Sequence, residues 1–156
     1  MSNSNLYPST MEMIRYSIDT STHGEFVPNT TNIRRVLNPN YADLRREIMC
    51  FNNEIEWDGM WTFQDAQDRL RNGWYFFCFF VDHQIKGWVW FDDKTRTLRN
   101  LYVNKDYRGK GYATQLVKRL VRECYENGIK SIKCEVDDWN GSSHSVVNKC
   151  NWIKVD

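Results

Sequence analysis

The order of elements along the chain predicts an α+β (mixed α/β) fold: one sheet with helices packed against it. Three observations carry this. Aromatic and β-branched runs at 74–81, 85–91 and 97–103 read as an antiparallel meander. A strongly amphipathic helix follows at 111–127. Strand, helix and strand signals then alternate to residue 155. The 156 residues suit one domain, and 41% hydrophobic with 15% aromatic content is enough to bury a core.

Residues 1–11 are Ser- and Asn-rich without periodicity and are expected to form a flexible leader, with 12–156 as a single domain. Met13–Asp19 alternates as a first strand. Residues 29–36 and 41–51 read as helical pieces separated by Asn38-Pro39, since proline disfavours helix at the residue before it. Leu44, Ile48 and Phe51 share one face of the second piece. Residues 51–61 read as a loop. Thr62 and Asp65 have capping-box spacing, and Asn72-Gly73 stops the short helix they begin.

Residues 74–81 are apolar apart from the small thiol of Cys78 and read as a buried strand. Turns at 82–84 and 92–94 separate it from the next two strands. In the 111–127 helix, Ala113, Leu116, Val117, Leu120, Val121 and Cys124 form one stripe, and Asn127-Gly128 ends it. Residues 131–136 alternate as a strand, 142–149 read as a short helix and 152–155 as a last strand.

Composition excludes several classes. With 21 basic and 20 acidic residues, no overall field favours nucleic acid or an anionic membrane surface. No apolar run is long enough to span a bilayer and no signal-peptide pattern is present, so a cytoplasmic protein is expected. Five scattered Cys without a CxxC pair, and three scattered His, predict reduced thiols and no metal site.

Chemistry concentrates in Arg108-Gly109-Lys110-Gly111-Tyr112-Ala113. A strand ending in Leu101-Tyr102-Val103 runs into this turn, and the amphipathic helix starts from it. Glycines let backbone N–H groups converge on an anion, the helix N-terminus adds unpaired donors and a positive dipole end, and Arg108 and Lys110 add cations. A pyrophosphate suits such a cradle. The plainer alternative is a surface turn with incidental glycines. The segment is neither a P-loop nor a dinucleotide fingerprint, which would need Gly at 114 where Thr114 stands.

These residues resemble the coenzyme motif [Q/R]-x-x-G-x-[G/A] of the GNAT superfamily of acyl-CoA-dependent N-acetyltransferases: Arg108, Gly111 and Ala113 fill its specified places. The resemblance continues ungapped through Asn140, at the family's helix-entry Asn, to Asn151-Trp152 in its Gly-Phe place. It implies a single twisted mixed sheet with helices on both faces. It implies acetyl-CoA, or a longer acyl-CoA, as co-substrate, held by Leu101, Tyr102, Val103, residues 108–114 (Arg108, Gly109, Lys110, Gly111, Tyr112, Ala113, Thr114) and Asn140. It further implies a coenzyme arm lying like an added strand in a splay between the fourth and fifth family strands, and direct transfer to a primary amine in a ternary complex.

Three departures from the family pattern are legible. Asn100 stands where many members carry a Glu base, and Val147 where many carry a Tyr acid. His144 and Asp137 are the substitutes considered, each also readable as an ordinary polar residue near a helix start. The expected final strand pair is cut short, so the acceptor groove is open, completed by the N-terminal region, or completed by a second subunit in a homodimer. Glu54, Glu56, Trp57 and Trp61 lie in the loop expected to face the acceptor, a small-molecule or protein amine; Trp74, Trp88 and Trp90 read as pocket or core. A lysine, a protein N-terminus, a polyamine or an aminoglycoside would each suit such a loop. The alternative function is a catalytically silent module that binds CoA or a protein partner.

Overall fold

All side chains from Tyr75 to Phe79 are buried, which a strand achieves only when both faces of its sheet are covered. The computed structural model describes residues 13–22, 32–54, 62–137 and 141–155. In chain order these form β1 (Met13–Asp19), β2 (Ile33–Arg35), α1 (Tyr41–Glu54), α2 (Phe63–Arg71), β3 (Tyr75–Val81), β4 (Gln84–Asp92), β5 (Thr97–Val103), α3 (Tyr112–Glu126), β6 (Ser131–Asp137), α4 (Gly141–Lys149) and β7 (Ile153–Val155). Short 3-10 turns occupy Thr20–Thr22 and Lys105–Tyr107. The strands make one sheet in the order β2-β3-β4-β5-β6-β1-β7. It is mixed: β5 and β6 are parallel, and every other neighbouring pair is antiparallel. The fold class is the one expected.

Strand alternation builds two cores. Tyr75, Phe77, Phe79, Val89 and Phe91 pack with Leu116, Val117 and Leu120 of α3 on one face. Phe76, Cys78, Trp88 and Trp90 pack with Leu44 and Ile48 of α1 and Ala66 of α2 on the other. Burying each large apolar side chain contributes ~1.5–3 kcal/mol, so this meander anchors both layers. Trp88 and Trp90 are fully buried and belong to the core, with Trp74 packed beside them.

Local signals hold where they were strongest. Thr62 Oγ1 accepts from Asp65 N (3.2 Å) while Asp65 Oδ2 accepts from Thr62 N (2.8 Å), closing the expected capping box. Asn151 adopts φ 66°, the conformation a glycine would supply at the family's Gly-Phe place, and Trp152 beside it is buried.

One expectation needs correction. The stretch 29–36 was expected to be helical. Of its described residues, Ile33–Arg35 form a strand on the edge of β3, opposite Phe79, Cys78 and Phe77. Phe80 N donates to Asn32 O (2.8 Å) and Val36 N to Phe76 O (2.7 Å), while the Arg34 and Arg35 guanidinium carbons lie 3.8 and 4.0 Å from the Phe80 and Tyr75 ring centroids. Pairing with a free sheet edge overrides a weak local preference. β1 inserts between β6 and β7, antiparallel to both, so the N-terminal region extends the sheet. Its end is tied down by Thr20, whose Oγ1 donates to Ile129 O (2.5 Å) and whose N donates to Lys130 O (2.9 Å).

Candidate functional site: a cleft at the β5–β6 splay

β5 and β6 meet at one register pair, Thr97↔Lys133, with Lys133 N donating to Arg96 O (2.9 Å). Beyond it the strands diverge. On its other edge β5 stays paired with β4 up to Val103, across a bulge between Trp88 and Trp90 where Asn100 takes φ 50°. Backbone groups on the open edge of β5 need partners from elsewhere.

The splay opens into a cleft of about 760 Å³. The predicted coenzyme residues Leu101, Tyr102, Val103, Arg108, Gly109, Gly111, Tyr112, Ala113 and Thr114 all line it. Lys110 does not; its ammonium lies 5.7 Å from the Tyr107 ring centroid. Asn140 lies outside the described residues, as do Glu56, Trp57 and Trp61.

The turn is built for donor convergence. Gly109 and Gly111 have φ 75° and 84°, a left-handed backbone that side-chain-bearing residues rarely adopt, and a Cβ at either would meet only open space. Gly111 is the N-cap of α3 and no side chain caps that helix. Among the described residues no side chain claims the first-turn N–H groups of α3, which lie at the cleft. Tyr112 stacks on Phe79 (centroids 4.2 Å apart), fixing the helix start to the sheet.

The far wall comes from α4, whose Ser143, Val146 and Lys149 share one helical face in the cleft; Phe51 and Glu54 of α1 close the side opposite. Glu54 ion-pairs with Arg108, whose Nε donates to Val103 O (2.7 Å). These α4 positions were missed because a nine-residue helix with polar residues on its cleft face carries no distinguishing pattern.

Sequence reasoning also missed the anchor beneath the turn. Glu47 is 1% exposed. It accepts from Asn104 Nδ2 (2.9 Å), more distantly from the Tyr102 hydroxyl (3.5 Å), and pairs with Lys86 (3.4 Å). Asn104 in turn donates its N to Lys86 O (2.8 Å) and accepts from Asp106 N (3.0 Å). Burial with Glu47 nearby pushes the Tyr102 phenol well above its usual range, so it stays protonated. The signal was present: Glu47 interrupts the apolar stripe of Leu44, Ile48 and Phe51.

The remaining candidates fall elsewhere. His144 Nδ1 lies 2.6 Å from the Tyr16 hydroxyl and His144 is not among the residues lining the cleft. Asp137 ends β6, paired with Met13. Asn100 Oδ1 accepts from Arg69 Nη1 (2.7 Å), so its side chain is engaged under α2. Val147 is buried in the core, where no hydroxyl replaces the family's tyrosine. Burial pushes the thiols of Cys124 and Cys134 up to about 12 and that of Cys150 to about 11, which disfavours thiolate chemistry at all three. Among the described residues, no group of three or more His, Cys, Asp or Glu could hold a metal, and no helix is long and apolar enough to cross a membrane.

Comparison with known proteins fits this geometry. No curated protein sequence matches the chain. Solved structures do. The chain is similar in fold to a GCN5-related N-acetyltransferase from Sphaerobacter thermophilus (TM-score 0.70, 12% identity, 99% of this chain and 51% of that one), and so spans about half that relative's length. It is similar to the putative acetyltransferase YncA of Salmonella typhimurium, solved with acetyl-CoA (TM-score 0.63, 18% identity, 76% and 77% covered). It is also similar to AAC(6')-Iy in complex with a CoA-based bisubstrate analog (TM-score 0.63, 17% identity, 80% and 91% covered). At these identities the likeness shows the fold. The family model described as the acetyltransferase (GNAT) family matches residues 41–152, most of the chain. The chain belongs to the GNAT acetyltransferase family, whose acyl donor is acetyl-CoA.

Proposed function

We propose that the protein is an N-acetyltransferase that moves an acetyl group from acetyl-CoA to a primary amine by direct transfer. The observation that carries this is the cleft itself: an open strand edge, two left-handed glycines and an uncapped helix N-terminus converge on one space. The residues fit the coenzyme. First-turn N–H groups of 111–114 would receive the pyrophosphate, with Arg108 and Lys149 as cations at the cleft wall. The open edge of β5 at Leu101 and Val103 would pair the amide-bearing arm, at the Val103 carbonyl once Arg108 Nε leaves it. A backbone N–H at the bulge near Asn100 would polarise the thioester carbonyl.

The thioester supplies the electrophile: a neutral amine nitrogen bonds to the carbonyl carbon, the C–S bond breaks, the amine proton passes to water and the thiolate leaves. This chain's contribution is mainly alignment, a source of rate that can exceed the ~10²–10⁴-fold typical of general acid–base help. Asn100 and Val147 offer no proton transfer. Glu54 is the carboxylate among the described residues lining the cleft, and in this reading it meets the amine's positive charge. Similarity to AAC(6')-Iy supports an amine acceptor as a class.

Thermal unfolding with acetyl-CoA tests the reading. At 100 times Kd, binding adds about 2.7 kcal/mol, which is roughly 5–10 °C for a chain of this size. Gly111→Glu and Lys149→Glu should each abolish most of the shift relative to their own unliganded midpoints. No shift in the wild type at saturating acetyl-CoA overturns the assignment. Thiol release should then be followed over a panel of amines. A thermal shift with no release from any amine would instead favour a silent CoA-binding module.

A further inference from the structure

Glu54 and Arg108 approach the cleft from different elements. Glu54 ends α1, and Arg108 opens the glycine turn, yet the guanidinium spans to both the Glu54 carboxylate and the Val103 carbonyl. It also lies 6.0 Å from the Tyr102 ring centroid, and Phe51 packs edge-on to that same ring (5.4 Å). Carboxylate, carbonyl and aromatic face together make a cation site, and the protein's own guanidinium fills it.

This cation can leave. The Arg108 and Glu54 side chains are 48% and 27% exposed, and ion pairs that wet are weak and exchangeable. A pyrophosphate on the adjacent N–H groups carries more charge than one carboxylate and offers bidentate acceptors, so it competes well for the guanidinium. Once Arg108 turns to it, Glu54 loses the counter-ion it has among the described residues. The nitrogen that attacks a thioester must be neutral. A cation that satisfies Glu54 throughout the reaction is therefore a second charged nitrogen on the acceptor.

Resting on the coenzyme assignment above, we propose that Arg108 is an exchangeable counter-ion for Glu54. The coenzyme draws it away, and the unmasked carboxylate selects amines that carry a second ammonium.

Calorimetric titration of CoA, 1,4-diaminobutane and the monocation n-butylamine tests this. In the wild type, saturating CoA should tighten diaminobutane about tenfold, within the usual range of site coupling, while n-butylamine, whose one ammonium can also meet Glu54, should gain no more than that. Arg108→Gln should bind diaminobutane without CoA as tightly as the wild type does with it. Glu54→Gln should show no such enhancement, and should bind CoA itself about threefold more tightly because no pair is broken. CoA binding to the wild type without a change in diaminobutane affinity overturns the proposal alone. So does an enhancement that survives in Glu54→Gln, which would mark simple attraction of the dication to the bound phosphates. Absence of CoA binding to the wild type overturns the coenzyme assignment and this proposal with it.

Discussion

The two edges of β5 differ sharply. Toward β4 the pairing runs from Asp92↔Thr97 to Gly87↔Val103, interrupted by one bulge; toward β6 it is the single pair Thr97↔Lys133. A gap in a sheet persists only if each bordering strand is held from behind. β5 is held by β4, where Gly87 allows the approach: a Cβ there would sit 2.8 Å from both the Phe79 ring and the Tyr102 carbonyl. β6 is held by β1, through register pairs from Met13↔Asp137 to Asp19↔Ser131. The N-terminal strand, outside the family match at 41–152, is thus the support of β6, the strand that leads into the cleft's far wall.

Breaking the rear support should have the largest effect. Ile18 is 2% exposed and pairs with Ile132. Ile18→Ala should cost about 3 kcal/mol in denaturant unfolding, and it should weaken CoA binding as β6 loosens. Unchanged CoA affinity would show that β1 supports stability without positioning the wall. On the closed edge, Gly87→Ala should cost about 2 kcal/mol by overpacking against Phe79 and the Tyr102 backbone. Its measured midpoint shift, set beside that of Ile18→Ala, ranks the two supports. Thr62→Ala removes the capping box at the start of α2, about two turns before the Arg69 that bonds Asn100, and should cost about 1 kcal/mol. CoA affinity should be unmoved; a change would mean that α2 feeds into the cleft after all.

Much of this was legible in the sequence, for local reasons. The meander announces itself because aromatic and β-branched residues cluster, and α3 because its apolar residues recur at helical spacing. The turn at 108–113 could be read as an anion cradle because glycine at φ 75° and 84° has few substitutes. Other features had no local signature. Residues 33–35 form a strand because an edge of β3 is free to take them. Asn100 reads as a missing base, whereas its left-handed bulge and its bond to Arg69 depend on α2 and β4 lying where they do.

What the sequence by itself determined is therefore what neighbouring residues decide among themselves: the helices and strands that carry the core, and the backbone conformation of the glycine turn. Tertiary structure alone decided what long loops bring together. That includes the seat of β1 between β6 and β7, the Glu47–Asn104 anchor beneath the turn, and the Arg108–Glu54 pair across the cleft. The physical reason is loop closure: contacts separated by more than fifty residues form only when burial elsewhere has offset the cost of joining them, and no local pattern encodes that balance.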